Sequence, residues 1–157
     1  MKSLPSYLTL CTRFILSLLG LITVFIYPLS FGWEGSYSRY YSFSPLLFTI
    51  LFSSLAIGLL VHSNKEWRLP AIFLIILSVF NMYDYPILHY GSAIFFFTTS
   101  TYAMWNDKRV SNFGKISLLG YPLIMFGLMT FEIFQIVILS LFHLLYILKL
   151  FILKLKK

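Results

Sequence analysis

Residues Ile116–Leu153 read ISLLGYPLIMFGLMTFEIFQIVILSLFHLLYILKLFIL, with Glu132 the only charge between Lys115 and Lys149. As one helix these 38 positions would run about 57 Å at 1.5 Å per residue, nearly twice the roughly 30 Å hydrocarbon core of a bilayer. The block therefore reads as a hairpin of two spans, 116–130 and 132–152. The break is expected near Thr130–Glu132, where the charge sits, with a kink at Pro122 in the first span.

Working outward, four more apolar stretches precede it, at about 10–29, 45–62, 68–83 and 86–105. Pro45, Pro70 and Pro86 each fall in a first helical turn, where a missing amide proton is harmless. Composition agrees. Of 157 residues 59% are hydrophobic and 11% charged, against roughly 25% charged in soluble domains. The mean hydropathy is +0.86. So few charges cannot cover a water-facing surface, which excludes a soluble enzyme, a disordered tail and a coiled coil. The expected fold is an all-α integral membrane protein, a bundle of six transmembrane helices in one domain.

Charge placement orients the bundle. With the N-terminus cytoplasmic, six spans put Lys2, Arg13, Lys65, Arg68, Lys108, Arg109, Lys115, Lys149, Lys154, Lys156 and Lys157 inside, and only Arg39 outside. This is the positive-inside pattern, so both termini are expected in the cytoplasm. Five spans would carry the lysine tail outside. The net charge of +7 thus reads as headgroup contact and orientation, with no nucleic-acid partner. No cleavage site of the A-x-A type follows the first apolar run, which reads as a permanent anchor. Lone Cys11 allows no intrachain disulfide. The setting is a bacterial inner membrane or an organellar one.

Trp33, Tyr37, Tyr40 and Tyr41 in the first outer loop read as interface anchors at headgroup level. Ser53, Ser54, Ala56 and Gly58 on span two, and the small residues from Gly91 to Ala103 on span four, read as faces where helices approach closely. No HExxH, CxxC, GxSxG or Gly-rich phosphate loop is present, and His62, His89 and His143 fall at three different depths. No metal, no cofactor and no catalytic residue set is expected. Asp84, just before Pro86, reads first as a helix cap. Together with His89 and Glu132 it also forms a candidate outer cluster. His89 and Glu132 lie at similar depth, and ionisable groups in apolar helices are costly unless paired. His89 is therefore expected to face the bundle interior, within hydrogen-bond or one-water reach of Glu132 or Asp84.

The string His89-Tyr90-Gly91-Ser92-Ala93-Ile94-Phe95-Phe96 resembles the start of the fourth span in the Frag/DRAM/Sfk family. Thr130-Phe131-Glu132 is similar to that family's acidic head of the last span, and Tyr27-Pro28-Leu29-Ser30 to its Pro-x-Ile-Ser stretch. The chain is shorter than most members, and its first outer loop lacks their Asp-Thr-Gly-like run. The resemblance implies a lipid-linked role, whether anchor-lipid remodelling, phospholipid or sterol organisation or control of membrane traffic, with His89, Gly91 and Glu132 as the matching residues. The expected function is lipid-interacting or lipid-regulatory, with membrane lipids as partners. The alternative is a small accessory subunit of a larger respiratory or secretory membrane complex, with other membrane subunits as partners.

Overall fold

The computed structural model describes residues 37–60, 65–106 and 112–155, with positions 11, 14, 15, 18, 19, 22, 26 and 29–32; at 37, 129 and 154 it describes the backbone alone. Trp33, His62, the 107–111 connection, the last two lysines and most of the expected first span lie outside these residues. The described positions between 11 and 31 are helical.

A 3-10 helix at Tyr37–Ser42 leads into α1, Pro45–Leu60. A short 3-10 turn, Lys65–Trp67, opens α2, Arg68–Val79. Next come α3 (Pro86–Asn106), α4 (Asn112–Leu119), a 3-10 helix at Tyr121–Phe126, and α5 (Leu128–Leu155). Every regular element among the described residues is helical, so the fold class is all-α.

Side-chain pairs give the direction of each helix. Thr49 Oγ1 donates to the Ser78 carbonyl at 3.2 Å, and Ser53 and Ser78 share a hydroxyl bond of 3.1 Å, pairs that flank residues 61–64 almost symmetrically. Phe73 stacks on Phe95 and Phe80 meets Tyr85 across the next turn. Thr101 bonds Ser117 at 2.7 Å, astride the third reversal. Ser117 bonds Gln135, Tyr121 packs on Phe131 and Phe113 on Phe142, pairs that flank Phe126 and Gly127 almost symmetrically. Each pass is antiparallel to the one before. Small residues sit where helices close up: Ala56 and Ala71 are fully buried. One core runs through the bundle, from Phe48 and Phe52 through Leu74 and Phe97 to Phe131 and Phe142.

The last block folds back, but not where the charge predicts. The reversal is at Gly127, whose φ of +119° and ψ of 148° suit glycine alone, while Thr130 and Glu132 are already helical. A charge near an interface does not break a helix; a backbone region closed to side chains does. The expected span 116–130 is also not one helix. It is eight residues of α4 followed by a six-residue 3-10 segment, interrupted at Gly120 with Pro122 behind it. A Cβ on Gly120 would run into the Phe134 ring, so glycine there lets α5 close in. Expected span 68–83 stops at Val79 because Asn81 forms an Asx turn. Its Oδ1 accepts the Tyr83 and Asp84 amides, both at 2.9 Å.

Among the described residues one helix, Thr130–Leu153, is long and apolar enough to cross a membrane; Pro45–Leu60 is apolar but shorter. Helix α3 has the length, 21 residues, but its Ser, Thr, Tyr and His positions dilute its hydropathy. Six full-length spans are therefore not what these helices display.

Candidate functional site: a buried serine–histidine junction

Three chain segments meet at one end of the bundle. The 3-10 helix brings Ser38, α3 brings His89 one turn past Pro86, and the end of α2 brings the Phe80 backbone. Phe80 has left the helix, with φ −93° and ψ 104°, so its carbonyl has no place in the helical ladder. His89 Nδ1 lies 2.6 Å from that carbonyl oxygen, and Nε2 lies 2.6 Å from Ser38 Oγ. His89 is 1% exposed and Ser38 5%.

The donor inventory sets the tautomer. A carbonyl only accepts, so Nδ1 carries the proton and donates it to Phe80. In the neutral ring Nε2 then holds a lone pair, and the Ser38 hydroxyl donates to it. The 3-10 helix is itself tied down. Tyr40 is fully buried, its Oη donates to the Gly32 carbonyl at 2.7 Å, and its ring packs against Phe31 and Phe43.

Beside Ser38 is a cavity of about 30 Å³. Its walls are Phe48, Phe52, Leu74, Leu77, Phe96, Phe97 and Ile136, with Ser38 and Glu132 the polar contributors. Glu132 is half-buried on α5.

Several sequence expectations change here. His89 faces the interior as expected, but both its nitrogens are taken by Phe80 and Ser38, and no direct bond to a carboxylate forms. Asp84 is exposed and accepts from Asn81 Nδ2 at 2.6 Å, so it neither joins His89 nor caps α3. The Asx turn has captured it. Tyr40 is not a headgroup anchor, because its ring and hydroxyl are used inside. Tyr41 is half-buried, edge-on to Phe48. The Tyr37 side chain and Trp33 lie outside what is described. Gly91 is half-buried, and a Cβ there would meet nothing within 4 Å, so no close approach requires glycine. His143 packs against Trp67 and Phe142, far along α5 from this junction. Among the described residues no three His, Cys, Asp or Glu side chains gather as a metal site would require.

Sequence reasoning missed Ser38. One serine in a Ser-Tyr-rich loop carries no signal, and its partner is 51 positions away. It also missed a second polar cluster. Ser117 Oγ donates to Gln135 Oε1 at 2.6 Å, Gln135 Nε2 donates to the Ser117 carbonyl at 2.8 Å, and Thr101 Oγ1 bonds Ser117. Gln135 is the only glutamine in the chain and sits in an apolar run, a signal that was available. No protein-family model, no curated protein and no solved structure matches this chain.

Proposed function

We propose that the chain is a multi-pass integral membrane protein of six spans, with both termini cytoplasmic, that acts on or organises membrane lipid through its outer end. The observation that carries the membrane reading is the inverted distribution of polarity. Ser78, His89, Ser100, Thr101, Ser117 and Gln135 are buried, while Leu46, Ile87, Ile94 and Leu119 point outward at 66–87% exposure. Water would reward the reverse arrangement, whereas lipid takes aliphatic surface at no cost and leaves polar groups to pair inside. Antiparallel passes support an even count when the 11–31 segment is included. Among the described basic residues Lys65, Arg68, Lys115 and Lys149 gather toward the end with Trp67 and Phe113, and Arg39 lies at the other, as orientation by positive charge requires.

The lipid reading is supported by the outer end itself. An aromatic-walled cavity with a serine and a carboxylate on its wall lies beside Ser38, at the end that the proposed orientation makes the outer one. The likeness to the Frag/DRAM/Sfk motifs at His89 and Glu132 points the same way.

Impermeant maleimide labelling tests the topology. In a Cys11→Ser background, Lys65→Cys and a cysteine in the C-terminal tail are expected to label from the cytoplasmic side only, and Ser42→Cys, on the exposed outer turn, from the opposite side only. Same-side labelling of Ser42→Cys and Lys65→Cys would sink the six-span reading. Gentle extraction then separates roles. A small particle carrying phospholipid is expected, and a fixed stoichiometry with a larger assembly would favour the accessory-subunit alternative.

A further inference from the structure

We propose that Ser38 is a nucleophile and His89 its general base, in a site that cleaves or transfers the acyl group of a carboxylic ester. The chemistry follows from the junction and the cavity beside it; the identification of the ester as a membrane glycerolipid rests on the lipid reading above.

Three observations combine. The base is oriented by a third group, since the Phe80 carbonyl holds the Nδ1 proton and leaves Nε2 as the acceptor. The nucleophile already hydrogen-bonds that acceptor at 2.6 Å, and its one proton is committed there. An activated serine requires this nucleophile–base–orienter order. Finally, Ser38 lines a cavity. Its volume of about 30 Å³ holds roughly two water-sized groups, the size of an ester carbonyl and not of an acyl chain. The chain of the substrate must then extend out of the bundle, into lipid.

The step balances without any further reagent. Ser38 Oγ bonds to the ester carbonyl carbon as its proton moves to His89 Nε2. The bond from that carbon to the alkoxy oxygen breaks, and the proton on Nε2 passes to the departing alcohol. The acyl group is left on Ser38. Water, or a second alcohol, then attacks the same carbon as its proton moves to His89 Nε2; the bond from that carbon to Ser38 Oγ breaks, the carboxylic acid or the new ester leaves, and the proton on Nε2 returns to Oγ.

The test uses the full chain in detergent and in phosphatidylcholine vesicles, with a fluorophosphonate probe. One covalent adduct is expected, mapped to Ser38 by peptide mass spectrometry. It is expected to vanish in Ser38→Ala and to form at least about 100-fold more slowly in His89→Gln, the loss typical of a missing general base. Thermal melting of each variant checks its fold. If a variant does not fold, the mapped site on the wild-type chain still decides. No adduct on folded wild-type protein, or an adduct at another residue, overturns the proposal. An undiminished rate in folded His89→Gln overturns the role of His89. The substrate is tested separately by fatty-acid release from the vesicles beside cleavage of a soluble short-chain ester. Cleavage of the soluble ester alone, with Ser38 labelled, overturns the lipid as substrate. Failure of the labelling topology overturns the membrane reading, not the chemistry.

Discussion

Thr101, Ser117 and Gln135 join neighbouring passes across 16 and 18 residues of chain, whereas Ser38 and His89 meet across 51. Both clusters are polar groups buried in an apolar bundle. The first is built on regular helix between adjacent antiparallel elements, with the Gln135 amide satisfied at both its oxygen and its nitrogen. It behaves as a clasp, holding α3, α4 and α5 in register. The second depends on places where the chain leaves the α-helix: a 3-10 turn that presents Ser38, and an extended Phe80 that frees a carbonyl. It lies against a cavity and leaves a hydroxyl poised on a basic nitrogen. Similar groups at similar burial thus divide into a structural cluster and a reactive one, according to whether the backbone beneath them is regular.

The contrast can be broken most forcefully in the clasp. Gly120→Leu places a side chain where the Phe134 ring already lies, and overpacking of this kind costs about 3 kcal/mol. Melting in detergent is expected to show a large loss, and a mild effect would mean that α4 and α5 do not pack as described. Gln135→Leu is gentler. It strips Ser117 of an acceptor and a donor inside the bundle, for a loss of about 1–3 kcal/mol. Its distinguishing readout is phosphonate labelling of Ser38, which is expected to stay at the wild-type rate in the surviving fold. A matching fall in labelling would show the two clusters to be one system.

The smallest effect belongs to Gly91→Ala. Beyond its own chain neighbours and helix backbone, nothing lies within 4 Å of the added methyl, and alanine favours helix over glycine by about 1 kcal/mol. Unchanged or slightly raised stability is expected, with labelling unaltered. A clear loss of either would give Gly91 the site role that its motif implied and that the local packing does not require.

Much of the architecture was legible in the residues, because it rests on short-range patterns. Pro45 and Pro86 do open helices. The last apolar block is too long for one crossing and does fold back. His89 does turn inward, since an imidazole in an apolar helix needs partners. What escaped was every decision made by a distant contact or by a particular backbone angle. Glu132 attracted the predicted hairpin break because charge is visible in a sequence, but Gly127 made it, through a φ that other residues resist. Asp84 lies five positions from His89 in sequence, but Asn81 closes a turn around it.

By itself, then, the sequence determined an apolar chain, helical in every regular element among the described residues, with its basic residues unevenly placed, since composition and periodicity act locally and need no partner. Only the tertiary structure decided that His89 bonds a serine and a backbone carbonyl instead of a carboxylate. That choice depends on which segments reach the same end of the bundle, and on which carbonyl a helix leaves unused when it stops.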